Sequence, residues 1–145
     1  MNDFFAGLDV STQGQKIVVI DLQKNSVIYS DSINYDLDLP KYSTLNGVIR
    51  DTETGVSESN PKMWIDALDL LFERLKTSSD IIQSIKAISI AGQQHGLVAI
   101  DKDGNLAKPT SKLWNDFSTL KECEILTKEI GGSEQMIHAV ANSQR

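Results

Sequence analysis

The sequence predicts an α/β fold, a mixed sheet with flanking helices. Three observations lead there. Three short apolar runs rich in β-branched residues follow one another within the first 35 residues, separated only by polar turns. A stretch with helical periodicity then opens at Asn60-Pro61. A further apolar run, IKAISIA at 85–91, comes after it. The order strand, strand, strand, helix, strand is α/β in kind but is not a plain repeat of strand–helix–strand units.

Each element has a local reason. Residues 4–10 (FFAGLDV) are apolar, aromatic and β-branched, and Ser11 to Gln15 follow as a polar turn containing Gly14. Residues 16–22 (KIVVIDL) read as the second strand, so the two form a β-hairpin placed centrally in the sheet. Lys24-Asn25 is the next turn, and residues 26–35 (SVIYSDSINY) complete an antiparallel meander. Residues 36–60 show no period of 2 or 3.6 and read as an irregular surface excursion, with short strand pieces around Gly47-Val48-Ile49. Asn60 suits an N-cap and Pro61 the first helical position. Trp64, Leu68, Leu71 and Leu75 recur at helical spacing, widened by Ile65 and Phe72, which predicts a helix over 61–76 with Trp64 in the core. Ser78-Ser79-Asp80 breaks it.

Residues 85–91 read as a buried strand closed by Gly92. Residues 96–101 (GLVAID) and 106–114 read as two more strands about the Asp103-Gly104 turn. A helix over 118–130 follows, with Thr119 and Glu122 spaced as a capping box and Gly131-Gly132 as its stop. A last short helix covers 133–141, and residues 142–145 are polar.

Composition limits the function classes. The chain has 145 residues, 40% hydrophobic and 23% charged, which suits one domain with a sizeable core and not two full lobes. Fourteen Lys and Arg against twenty Asp and Glu leave a net charge of −6, so nucleic acid and anionic membrane are unfavourable partners. For the same reason a bound phosphate would need local donors. Cys123 is the single cysteine, so no internal disulfide forms. With no signal-like start and no membrane-length apolar run, the expected location is the cytoplasm. No repeat or linker divides the chain.

Three polar clusters interrupt these apolar segments. The first is Gly7-Leu8-Asp9-Val10-Ser11-Thr12-Gln13-Gly14-Gln15-Lys16, where a carboxylate, two hydroxyls and an amide gather at a tight turn. Backbone N–H groups of such a turn can cradle a phosphate, and a strand-end carboxylate can hold magnesium through water. The plainer reading is a well-made hairpin turn. Neither G-x-x-x-x-G-K-[ST] nor G-x-G-x-x-G is present. The second cluster is Ala91-Gly92-Gln93-Gln94-His95-Gly96, directly after a strand, where ligands bind in open α/β sheets. Amide and imidazole groups both donate and accept, which suits hydroxyl recognition, although a lone His between glycines is as often structural. The third is Leu113-Trp114-Asn115-Asp116: Trp114 could wall a sugar pocket and Asn115 and Asp116 offer polar contacts, but the cluster alone favours Trp114 as core and Asn115 or Asp116 as the start of the next helix. His138 has no polar company and reads as structural.

In this order the clusters resemble the FGGY family of carbohydrate kinases, and within it the xylulokinases. The family opens on a strand–turn–strand phosphate motif of the form D-x-G-T, here Asp9-Val10-Ser11-Thr12, with serine in place of glycine as in the D-x-S-T-Q form of the animal-type enzymes. Gln93-Gln94-His95-Gly96 resembles the sugar-contact stretch, and Leu113-Trp114-Asn115-Asp116 the next block near the sugar. Tyr35-Asp36-Leu37-Asp38-Leu39-Pro40 and Asn60-Pro61-Lys62-Met63-Trp64 also look like the animal-type enzymes, so the likeness spans nearly the whole chain.

The resemblance implies a ribonuclease H-like fold of the actin and hexokinase superfamily, with ATP and sugar meeting between two lobes. It makes residues 1–145 the N-terminal part of the first lobe, without the second. Asp9 takes the Mg2+ role, water-mediated and through Mg-ATP. Ser11, Thr12, Gln13 and Lys16 face the terminal phosphates, and Gln94, His95, Trp114, Asn115 and Asp116 face the sugar. The implied reaction is phosphorylation of D-xylulose to xylulose 5-phosphate, with ribulose, gluconate or glycerol as alternative acceptors. The catalytic base is expected downstream, so no catalytic residue is assigned and the chain alone is expected to be inactive. A non-catalytic module acting only by association is the other alternative, and a homodimer is an assembly left open. The geometric expectation is that the bend at 11–15 and His95 face one cavity.

Overall fold

Alternation along the first strands decides which face of the sheet is covered. The structure, a computed structural model, describes residues 3–49, 53, 55–78 and 80–141. Strand β1 (Phe4–Val10) turns Phe4, Ala6 and Leu8 to a covered face and Gly7 and Asp9 to an exposed one. It pairs antiparallel with β2 (Gly14–Asp21), whose Gln15, Ile17, Val19 and Asp21 share the covered face. Strand β3 (Ser26–Asn34) pairs antiparallel with β2 and completes the expected meander. On its other side β1 runs parallel to β7 (Ile85–Gly92), giving the order β3-β2-β1-β7. A parallel neighbour requires a long crossover, which residues 35–84 supply.

Helix α2 (Pro61–Ser78) lies on the covered face. Met63, Ala67, Leu71 and Leu75, spaced by four, are wholly buried against Phe4, Ala6, Leu8, Ile17, Val19 and Ile33. Each large side chain of this kind contributes roughly 1.5–3 kcal/mol on burial, so this stripe sets where the helix rests. Asn60 caps it: its Oδ1 accepts from Lys62 N at 3.0 Å and its carbonyl from Met63 N at 2.9 Å. Arg74 clamps α2 to the crossover through Asp38 at 2.6 Å. The buried stripe differs from the expected one. Trp64 is half-buried and packs against the core's edge, while Met63 and Ala67 take the buried positions.

The excursion after β3 is more regular than its composition suggests. It holds a single helical turn, α1 (Tyr35–Asp38), a 3-10 turn at Pro40–Tyr42, and the strand pairs β4 (Thr44–Leu45) with β5 (Val48–Ile49). Asn46-Gly47, with φ of 54° and 78°, forms the two-residue link between them. The Asp36 carboxylate holds this hairpin, accepting from Thr44 Oγ1 at 2.7 Å, Asn46 N at 2.6 Å and Gly47 N at 3.1 Å. A further short strand, β6 (Glu58–Ser59), precedes α2.

Three expectations are corrected beyond this point. The two strands expected over 96–101 and 106–114 reduce to isolated bridges, Leu97 with Lys112 and Ile100 with Leu106, and to β8 (Ser111–Lys112) paired with β6. Pro109 interrupts the second run and has no N–H for a ladder. Strand β7 forms but is not buried: Ile88 and Ile90 are 46% and 67% exposed, and β1 is its only strand neighbour among the described residues. Helices α3 (Leu120–Glu129) and α4 (Ser133–Val140) form, but Thr119 makes no side-chain cap bond, its backbone lying outside the extended N-cap region. Neither helix buries a residue, and Ile125, Leu126 and Ile137 stand exposed. Among the described residues no helix is long and apolar enough to cross a membrane.

Candidate functional site

The site begins where β1 and β7 end side by side. Val10 pairs with Gly92, and Gln93 N donates to the Val10 carbonyl at 2.9 Å. Two parallel strands therefore deliver both polar clusters to one end of the sheet, where an open α/β sheet offers its backbone to ligands.

The bend after β1 is braced from several directions. Ser11 N donates to Gly14 O at 2.9 Å, and Ser11 Oγ donates to Asp9 Oδ2 at 2.8 Å. Tyr35, wholly buried, donates its backbone N–H to Gln13 O at 3.1 Å and its hydroxyl to Ser11 O at 3.2 Å. Burial, aided by the charge of Asp9 and opposed by a bond to Gln15, pushes the Tyr35 phenol up to about 12, so it remains a donor at neutral pH. Gly14 backs onto β3 so closely that a Cβ there would sit 2.2 Å from Ile33 O. Gly47 approaches from the β4–β5 hairpin, where a Cβ would lie 1.9 Å from Thr12 O. The Asn46-Gly47 pair was the sequence signal for this brace.

Thr12 is the meeting point. Its hydroxyl donates to Gln93 Oε1 at 3.1 Å and accepts from Trp114 Nε1 at 3.1 Å. Residues 81 and 102 positions away in sequence thus join the bend through one oxygen. Gln93, part of the second cluster but given no role of its own there, joins the bend through this bond. Its place at the very end of β7 was the available clue.

Two hollows flank the end of β1 among the described residues. Alternation sends Asp9 and its cross-strand partner Lys16 to one face, into a hollow of about 220 Å3 that Ser11, Gln13, Ser32 and Asn34 also line. Val10 turns to the other face, into a hollow of about 160 Å3 lined by Trp64, Gly92, Gln93, Gly96 and Val98. Thr12 links them: it lies between Ser11 and Gln13 of the first hollow, and its hydroxyl donates to Gln93 of the second. Gln94 and His95, both exposed, lie in sequence between Gln93 and Gly96, which line the smaller hollow. His95 sits at φ 59°, a left-handed backbone that costs a non-glycine residue free energy and is common at functional positions.

Asn115 and Asp116 are engaged within the protein. Asn115 Oδ1 accepts from Ser57 Oγ at 2.7 Å. The Asp116 carboxylate accepts from Ser57 N at 2.8 Å, Ser118 Oγ at 2.6 Å and Lys112 Nζ at 3.1 Å. Burial opposes its ionisation, but the bonds from Ser118, Ser57 and Lys112 outweigh that and hold it at about 2. Lys112 also reaches Glu58 at 3.4 Å, which ties the Trp114 loop to β6. His138 is exposed on α4. Among the described residues no group of three His, Cys, Asp or Glu could hold a metal ion by itself.

Comparison with known proteins places the chain in a family. Residues 4–141 match the family model described as FGGY family of carbohydrate kinases, N-terminal domain. A xylulose kinase of Schizosaccharomyces pombe is 43% identical over 91% of this chain and 26% of its own length. Among solved structures, ligand-bound xylulose kinase from Lactobacillus acidophilus superposes with a TM-score of 0.73 at 26% identity, over 94% of this chain and 24% of that one. Gluconate kinase from the same species gives 0.74 at 25% identity, over 95% and 25%. The chain spans about a quarter of the length of the curated relatives it matches. Its mixed α/β sheet is that of the actin and hexokinase-like FGGY sugar kinases, and the chain belongs to the FGGY family of carbohydrate kinases, with the xylulose kinases among its relatives.

Proposed function

We propose that this chain grips the terminal phosphates of Mg-ATP and the acceptor of a kinase that phosphorylates D-xylulose to xylulose 5-phosphate, and that alone it transfers no phosphoryl group. The observation that carries this reading is the Thr12 hydroxyl, bonded to both Gln93 and Trp114 where β1 and β7 end. It joins the phosphate-type bend to the amide and indole suited to a sugar.

On the Asp9 side, the Gln13 side chain and the Lys16 ammonium supply donors to an anion despite the acidic whole, and the Ser11 hydroxyl joins them once it turns from Asp9. A magnesium ion arriving with the nucleotide would find one carboxylate, Asp9, and take its remaining oxygens from phosphate and water, which suits this ion. The ion would neutralise charge on the phosphates. On the other side Gln94, His95 and the Trp114 ring hold and orient the acceptor. Phosphoryl transfer depends chiefly on such positioning, so most of this chain's contribution is geometric. Asn115 and Asp116 hold the Trp114 loop in place through Ser57 and Lys112.

The test is a coupled ADP-release assay with D-xylulose, alongside thermal unfolding with and without the sugar. The reading expects stabilisation by D-xylulose and no turnover. Turnover at an ordinary kinase rate would refute the second half of the proposal. Stabilisation by gluconate in preference to D-xylulose would replace the acceptor. A second reading, a module that works only by association, is favoured by the exposed Ile88, Ile90, Ile125, Leu126 and Ile137. It predicts concentration-dependent self-association and no response to either ligand.

A further inference from the structure

The phosphate-type motif covers β1, β2 and the bend between them, but the hollow beside Asp9 extends one strand further. Register sets Asp9 opposite Lys16 and Lys16 opposite Ser32, a row across β1, β2 and β3. Asn34 stands two residues on, opposite Gly14. Alternation puts both β3 side chains on the Lys16 face, both residues are exposed, and both line the hollow of about 220 Å3. Neighbouring strands lie about 4.8 Å apart, so the row spans about 10 Å. Among the described residues the Ser32 hydroxyl has no protein partner. Asn34 Oδ1 accepts from Leu37 N at 3.1 Å, which leaves Nδ2, a donor, as the free end of the amide. Both residues are anchored from α2: Arg74 donates to the Ser32 carbonyl at 3.3 Å and to Asp38 Oδ1 at 2.6 Å, while Asp38 Oδ2 accepts from Asn34 N at 2.7 Å. The guanidinium also offsets the Asp38 charge, which would otherwise repel an anion. Donors fixed in advance around one ammonium are what a phosphate needs in an acidic chain.

We propose that Ser32 and Asn34 belong to the phosphate site, the Ser32 hydroxyl and the Asn34 amide donating to phosphate oxygens whose charge Lys16 offsets. This rests on the phosphate half of the kinase reading and adds a third strand to it.

Substitutions on β3 separate binding from folding, with Mg-ATP and magnesium tripolyphosphate as probes. Ser32→Ala removes a hydroxyl from an exposed strand face. Asn34→Asp keeps an oxygen for Leu37 N, since Asp caps about as well as Asn, but puts a negative oxygen where the donor was. Each is expected to raise the Kd of both probes about tenfold, the effect of one hydrogen bond to a charged group, with the unliganded melting temperature unchanged. Ser30→Ala, on the same face of β3 but outside the hollow, should leave the Kd unaltered. In 15N spectra of the unsubstituted chain both probes are expected to shift Ser32 and Asn34, the Asn34 side-chain amide included, together with Gln13 and Lys16. If the probes shift Gln13 and Lys16 but neither Ser32 nor Asn34, or if both variants keep the original Kd, this inference is overturned and the kinase reading stands. A response to Mg-ATP with none to tripolyphosphate also overturns it, since phosphate oxygens would then not be what β3 holds. If neither probe shifts any residue of the bend, the phosphate reading fails and this inference with it.

Discussion

Replacing Gly47 by Ala tests whether the β4–β5 hairpin positions the phosphate bend. Two costs can be separated. The φ of 78° is left-handed, which costs an alanine about 1 kcal/mol. The new Cβ would also lie 1.9 Å from Thr12 O and 2.8 Å from Thr12 C, both backbone atoms. Reaching ordinary contact at 3.4 Å means parting the hairpin from the bend by about 1.5 Å. That movement stretches the bonds from Gly47 N to Asp36 and from Thr12 to Gln93, each contributing about 1 kcal/mol.

The total is about 3 kcal/mol, or a fall in Tm of roughly 10 °C for a chain of this size. Gly104→Ala is the control: its φ is 83°, yet nothing lies within 4 Å of the added Cβ, so only the backbone cost of about 1 kcal/mol applies. Urea unfolding of both variants, with amide spectra of residues 11–14, measures the difference. Equal losses for Gly47→Ala and Gly104→Ala, with Thr12 and Gln13 resonances unmoved, would refute the bracing argument.

Three further outcomes follow from the site. Thr12→Val removes the hydroxyl between Gln93 and Trp114 and should cost about 1–2 kcal/mol in urea unfolding, whereas Thr12→Ser should retain most of it. His95→Gly relieves a left-handed backbone and should raise stability by up to about 1 kcal/mol while abolishing the thermal stabilisation by D-xylulose. Asp116 is held at about 2 against an ordinary 3.8, so the unfolded chain binds its proton first as pH falls. Its contribution, on the order of 2 kcal/mol, is complete above about pH 4 and fades between about 4 and 2. Acid unfolding of Asp116→Asn should lack that component, and an unchanged acid limb in the variant would count against the assignment.

What could be read from the sequence was local. The periodicity of residues 4–35 gave the meander, Asn60-Pro61 gave the start of α2, and Asp9 to Lys16 marked the bend, because strand alternation, capping and turn chemistry act between near neighbours. The order of the three polar clusters pointed to the FGGY family for a similar reason: each is a short run whose residue types are visible in one dimension. Tertiary structure decided the rest. It put Asp9 and Val10 on opposite faces of β1, where each lines a hollow of its own. It joined Thr12 to Gln93 and Trp114 through a single hydroxyl, and it moved Trp64 from the core to a wall. It also left β7 exposed, since an apolar run carries no record of whether anything lies beside it. Cross-chain contacts, burial and the meeting of distant side chains depend on how strands pair and where α2 comes to rest, and those are set by packing over the whole chain, which no single segment encodes.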